Sequence, residues 1–283
     1  IGAELAKESI RSVDEQFGRI IAHLKKMKMY KDYNILISTD HGFVTHVGQN
    51  NVSDFLINSG LKEHKESEDV VVIGGAIYVK DHQPEKIHAI VKALQQQEWI
   101  GAVFTKGIQP GSDIGVVEGT LSFESINWNH TERSADILVD MNWDHRKNKN
   151  GFAGTSYSRG VAGHGCSSPY EIHIPLICAG PSFKKSFVAD YPTSNVDIVP
   201  TLLHIQKIPI PETMQGRVMS ELLAGNKLPA EKPAIRKIET EVSASWGTYK
   251  TSIEKSVWMN YEYVNYTYTE RVWSDQNKAD AGQ

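Results

Sequence analysis

Cysteine is nearly absent from this chain: 283 residues carry two, Cys166 and Cys178. That excludes a disulfide framework and a cysteine-based zinc site; the pair reads as buried free thiols, with a single bridge between them as the alternative. No apolar run reaches the length that spans a bilayer, so no membrane span is expected. Long basic runs are lacking too, and 30 Lys and Arg against 34 Asp and Glu leave a formal charge of -4, which argues against a nucleic-acid polymer as partner. The small cluster Lys25, Lys26, Lys28 and Lys31 is explained by the C-terminal end of a helix, where cations complement the dipole. An initiator methionine and a leader segment are missing before Ile1, so the chain reads as beginning inside a longer polypeptide or after processing.

What the sequence does have is a hydrophobic content of 40%, enough for one large domain or a domain with an insertion. Its most informative stretch is Tyr33 to Phe43, in which Ile35, Leu36 and Ile37 run directly into Thr39, Asp40, His41 and Gly42. The apolar run is too short for a helix and predicts a parallel strand buried on both faces, with the carboxylate and imidazole emerging at its carboxyl end. Open α/β sheets bind ligands there, and Gly42 lets the chain turn without a side chain in the way. A plain turn is the competing reading of Asp-His-Gly. Ser38 and Thr39 read as backbone hydrogen-bonding hydroxyls rather than nucleophiles.

Upstream, Ile10, Val13, Phe17, Ile20, Ile21 and Leu24 recur at three- and four-residue spacing and predict an amphipathic helix with a core-facing stripe. Downstream, Asn51 caps a short helix over Val52 to Ser59, Val70 to Val79 is β-rich around Gly74 and Gly75, and Pro84 opens a helix carrying Ile87, Ile90, Val91 and Leu94. Strands are expected near Ala102 to Thr105, Ile114 to Val117 and Ala135 to Met141, followed by a polar loop from Asp144 to Arg159. Trp128, Trp143, His130 and His145 are either pocket-lining or ordinary partly buried aromatics and surface histidines. Chemistry returns at Gly163-His164-Gly165, where flanking glycines leave room around an imidazole. A buried strand over Ile174 to Ala179 comes next, then a helix with Asp197, Ile198, Leu202 and Leu203, capped by Ser194 or Asn195, and another helix around Arg217 to Leu223. The tyrosine-rich tail alternates like a small β-sheet, with a carbohydrate-binding face as the sharper alternative.

The ordered series Asp40-His41-Gly42, Arg133-Ser134-Ala135-Asp136-Ile137, Gly163-His164-Gly165, Pro175-Leu176-Ile177, Gly180-Pro181 and Asp197-Ile198-Val199-Pro200-Thr201-Leu202 resembles the alkaline phosphatase superfamily. The nearest likeness is to its type I phosphodiesterase/nucleotide pyrophosphatase branch, over roughly residues 1 to 225. The resemblance implies an α/β core sheet flanked by helices at 1–65 and 156–228; the run of elements itself predicts a mixed α/β insertion at 66–155 and a β-rich tail at 229–283. The resemblance further implies two zinc ions acting on a phosphodiester or phosphomonoester of a small substrate, a nucleotide being one candidate, through a covalent intermediate on a Thr or Ser. Asp40 and His41 match ligands of one ion, and His164 matches a ligand of the other. His46 and His173 are the remaining histidine candidates, whereas Asp136 and Asp197 read as structural. The family's nucleophile, its second zinc-binding Asp and its Asp-x-x-x-His pair have no counterpart before Asp40, so the chain is expected to be a fragment of a larger enzyme, with a partner chain as the alternative. A periplasmic or secreted location is implied by the resemblance alone. Another phosphatase or sulfatase, or a non-catalytic module keeping the fold, are the competing functions.

Overall fold

The computed structural model describes residues 1–274. In chain order these form helix α1 (Glu4–Lys26), strands β1 (Ile35–Ser38) and β2 (Val44–Gly48), helix α2 (Val52–Asn58), strands β3 (Val70–Ile73) and β4 (Ala76–Val79), and helix α3 (Pro84–Gln95). There follow β5 (Ile100–Thr105), β6 (Leu121–Ser122), β7 (Ile137–Met141), β8 (Trp143–Lys147), β9 (Ala153–Arg159), β10 (Ala162–Gly163) and the one-turn helix α4 (Pro169–Ile172). The described chain closes with β11 (Leu176–Ala179), α5 (Ile198–Ile205) and three long strands, β12 (Ala234–Ala244), β13 (Gly247–Trp258) and β14 (Tyr261–Trp273). The architecture is mixed α/β with open sheets, in keeping with an alkaline phosphatase-like fold.

Two packed units are built from interleaved stretches. Among the described residues, the first holds 1–42, 173–236 and 255–263; the second holds 43–172, 237–254 and 264–274. Strands β12, β13 and β14 form a three-stranded sheet in that order.

In the first unit β1 pairs with β11 antiparallel, with Ile35 opposite Ala179 and Ser38 opposite Leu176, and these two strands make a sheet of their own. The expectation of a parallel strand buried on both faces is corrected here. Ile37 is 37% exposed and Ile177 of β11 is 57% exposed, so the strand predicted as buried over Ile174 to Ala179 is not buried either. A short apolar run specifies a hydrophobic strand but neither the direction of its partner nor the layer that covers it. Helix α1 forms where the periodicity places it, with His23, Lys25 and Lys26 in its last turn. Its stripe is not core-facing: Ile10 and Val13 are 70% exposed and no residue of α1 is buried. A period of 3.6 fixes which face is apolar, not that anything lies against it.

The second unit contains the main core. A five-stranded sheet in the order β3-β4-β7-β5-β6 packs Ile77, Val103, Ile137 and Val139 against Leu56 of α2 and Ile90, Val91 and Leu94 of α3. Burial of each such side chain contributes about 1.5–3 kcal/mol. The Asn51 side chain accepts from the Asp54 amide to start α2, and Pro84 opens α3, as their positions predict. Gly74, at φ 60°, makes the β3–β4 turn that a Cβ would strain. A second sheet, in the order β10-β2-β9-β8, occupies much of the stretch expected to be a loop. Its β8 is exposed over His145–Lys147, so it carries no apolar alternation by which to be recognised. Ile114 to Val117 makes isolated bridges instead of a strand, and Arg217 to Leu223 folds only a single 3-10 turn, Ser220–Leu222.

Candidate metal-binding site

Strand β1 ends at Ser38, and the chain leaves it as a short hook in which each polar group has a partner. The Thr39 hydroxyl donates to Asp40 Oδ1 at 3.2 Å and to the His41 carbonyl at 3.1 Å, and the His41 amide donates to Asp40 Oδ1 at 3.2 Å. Thr39 therefore serves as the backbone-bonding hydroxyl its place at a strand end suggests. Its own amide, then the neighbouring His41 imidazole, hold the Asp40 carboxyl below the usual carboxylate range. It is thus ionised at neutral pH, with its side chain 85% exposed.

His41 Nδ1 lies 2.7 Å from the Gly42 carbonyl, which can only accept, so Nδ1 is the donor there and Nε2 is the ring nitrogen left to serve as a ligand. A histidine ligand fixed through its other nitrogen is the usual arrangement at metal sites. His41 Nε2 and Asp40 Oδ1 are 3.6 Å apart. Two donors about 2.0–2.1 Å from one tetrahedral ion stand roughly 3.3 Å from each other, so the pair fits half of a zinc shell.

His164, in the second unit, follows β10, which pairs antiparallel with β2 through Gly163 opposite Val44. Its ring meets Phe43 at 5.6 Å between centroids. Gly163 also leaves room for a second ring. A Cβ there would come within 2.5 Å of the His46 imidazole, whose Nδ1 lies 3.2 Å from the Arg159 carbonyl. On its far side the His164 loop is tied down by two buried carboxylates that sequence reasoning did not single out. Asp140 of β7 accepts from the Ser167 amide at 3.0 Å and from its hydroxyl, while Glu171 accepts from the Cys166 amide at 3.2 Å and from the Ser168 hydroxyl. Burial pushes the Asp140 carboxyl up to about 7 against the pull of the Ser167 hydroxyl and amide, and nearby Glu171 pushes it further up. Burial likewise pushes the Cys166 thiol well up, and both cysteines are free. An aspartate in an otherwise apolar strand, Ile137-Leu138-Val139-Asp140-Met141, is the signal that could have revealed this anchor.

Several other candidates make contacts within the fold. Asp136 accepts from the Val79 amide and lies 2.7 Å from His82 Nδ1. Asp197 is fully buried and accepts from the amides of Ser194 and Arg217 and from the Tyr263 hydroxyl. Trp143 is buried among the rings of His145, Tyr170, Tyr266 and Tyr268 with its indole N–H on the Thr267 carbonyl. His145 Nδ1 lies 2.7 Å from the Tyr170 hydroxyl, and Trp128 packs edge-on against Phe123. Asp40 and His41 belong to one unit and His164 to the other. Among the described residues, no three or more His, Cys, Asp or Glu side chains gather where they could hold a metal. The donors thus fit part of a zinc shell and do not complete one.

The chain is a member of the alkaline phosphatase superfamily, whose motif series its sequence carries. The family model for type I phosphodiesterase / nucleotide pyrophosphatase matches residues 3–151, more than half of the chain, and the chain belongs to that family. Two curated relatives are sulfatases by name. The putative extracellular sulfatase Sulf-1 homolog of Caenorhabditis elegans is 40% identical over 65 residues, 22% of this chain and 9% of its own. Sulfatase ppz1 of Metarhizium majus (strain ARSEF 297) is 33% identical over 57 residues, 20% of this chain and 13% of its own. The chain thus spans only a small part of the curated relatives it matches. No solved structure matches it. Among the described residues no helix is long and apolar enough to cross a membrane.

Proposed function

We propose that this chain is the part of a zinc-dependent phosphodiesterase or phosphomonoesterase that carries Asp40 and His41 as donors to one ion and His164 as donor to a second. The observation that carries the reading is the hook itself: an ionised carboxylate and an imidazole fixed through Nδ1, with donor atoms 3.6 Å apart. A pair of zinc ions supplies charge stabilisation to the attacking and departing oxygens of an in-line displacement. The chain's own contribution is to hold the Asp40 carboxylate and His41 Nε2 at a fixed separation, and to seat His164 between β10 and the anchored Cys166–Ser168 turn. The nucleophile, a Thr or Ser in the family, and the remaining donors come from outside these residues. The uncovered apolar faces of α1, β1 and β11 support this, because two short strands are too little sheet to stand as a core. The substrate is a small phosphorylated molecule, with a nucleotide as the candidate the family name suggests. An extracellular site of action is proposed from the name of the nematode relative.

Zinc retention by the chain, measured by elemental analysis after removal of excess ion, should fall in Asp40→Asn and in His41→Ala. Retention unchanged in both variants would refute the assignment. The two sulfatase relatives favour a second reading, hydrolysis of sulfate esters. Turnover of an aryl sulfate rather than an aryl phosphodiester by the complete protein would select it.

A further inference from the structure

The Asp40–His41 hook hangs from one peptide, and that peptide is gripped from across the fold. The Asn195 side-chain amide donates to the Thr39 carbonyl at 2.9 Å, and its oxygen accepts from the Ser38 hydroxyl at 3.0 Å. Asn195 was expected only as a possible helix cap. Instead it lies inside the 3-10 turn Asn195–Asp197, and its side chain reaches 156 residues back along the sequence to the end of β1. Because a peptide group is planar, fixing the Thr39 carbonyl also fixes the direction in which Asp40 leaves the strand.

The residue doing the gripping is itself held. Asp197 Oδ2 accepts from the Ser194 amide at 2.9 Å, and the Asp197 amide donates to the Ser194 carbonyl at 2.9 Å, which closes the turn around Asn195. The same carboxylate accepts from the Arg217 amide at 2.8 Å and from the Tyr263 hydroxyl at 3.0 Å. Arg217 is bidentate to Glu221 at 2.8 and 2.9 Å, donates to the Pro192 carbonyl at 2.7 Å and lies over the Trp258 ring at 4.3 Å. A buried, satisfied network of this kind rigidifies what it supports. The exposed amide of Asn195 is thereby presented from a rigid base.

We infer that Asn195 is a positioning residue for the metal donors, acting on Asp40 and His41 through the Ser38–Thr39 backbone. The inference rests on the reading of Asp40 and His41 as zinc donors, and goes beyond it by naming what sets their geometry. Supporting residues that orient a ligand are worth 10–100-fold in metal affinity.

The test uses the full chain, zinc alone as the probe, and the variants Asn195→Ala, Ser38→Ala and the double variant. Asn195→Ala should weaken zinc binding about 10-fold or more. Ser38→Ala, which removes one of the two bonds, should weaken it less, and the double variant should fall short of the sum. Amide exchange provides a readout independent of metal. Without zinc, residues 36–43 should exchange about 10-fold faster in Asn195→Ala, the loss of a modest hydrogen bond, while residues 198–205 of α5 keep their protection. Exchange unchanged at 36–43, or zinc affinity within about twofold of the parent chain, would overturn the inference. If the parent chain alone binds no zinc, the exchange result decides whether Asn195 holds the hook.

Discussion

Asp140 is a carboxyl group 6% exposed in strand β7, facing another buried carboxylate, Glu171, with hydroxyls and amides as partners. Burial raises it from 3.8 to about 7 in the folded chain. The proton is therefore held more tightly folded than unfolded, and its contribution to stability is complete below pH 3.8 and is lost as the pH rises through about 7. At about 1.4 kcal/mol per unit, the difference across that window is on the order of 4 kcal/mol. The groups shifted the other way, Asp69, Asp144 and Glu262, lose their contributions only as the pH falls through their lowered values. Their window lies below that of Asp140, so the two do not mask each other. Asp140→Asn keeps an oxygen to accept from Ser167 and removes the titration. Urea unfolding of parent and variant at pH 4, 6 and 8 isolates the effect. The variant should gain on the parent steadily from pH 4 to pH 8, by a total approaching about 4 kcal/mol. A difference between the two that is the same at all three pH values would refute the buried-acid argument.

Gly163→Ala should lower the thermal midpoint by forcing Cβ against the His46 ring, at a cost of about 1–3 kcal/mol, and His46→Ala in the same chain should recover most of the loss. Glu221→Gln should cost about 3–5 kcal/mol in urea unfolding, because it leaves the buried Arg217 guanidinium without its countercharge; a loss near zero would mean that Tyr263, Pro192 and Trp258 hold the guanidinium without it.

Local signals were legible wherever neighbouring residues act on one another. Asn51 before α2, Pro84 at the start of α3, the glycine turn between β3 and β4 and the alternation of the tail each rest on contacts a few residues long. Along β14 the buried positions Tyr263, Thr267 and Thr269 alternate with exposed Tyr268 and Glu270, as a sheet face requires. The pairing of β1 was not legible, because hydrophobicity says that a strand will be covered and not by which partner. The β8–β9 hairpin escaped notice because β8 is exposed over His145–Lys147 and β9 buries the small or polar residues Gly154, Thr155 and Ser156, so neither carries the apolar rhythm on which recognition depends. At the site, Asp40, His41 and His164 stood out by residue type and glycine context. Asn195, Asp140 and Glu171 did not, since each acts on residues brought to it by folding; Asn195 and Thr39 are 156 positions apart.

The interleaving of the two units has a practical consequence for how this protein can be cut. The chain passes from one unit to the other at 42/43, 172/173, 236/237, 254/255 and 263/264, and the last two of these fall inside β13 and β14. Each unit is assembled from three separate stretches, so any contiguous piece that contains one whole unit also carries part of the other. A protease that nicks the exposed loop at 148–151 leaves both fragments bound into the second unit, and recombination at any single point would split a unit rather than transfer it. Neither unit can therefore be exchanged or deleted as one continuous segment.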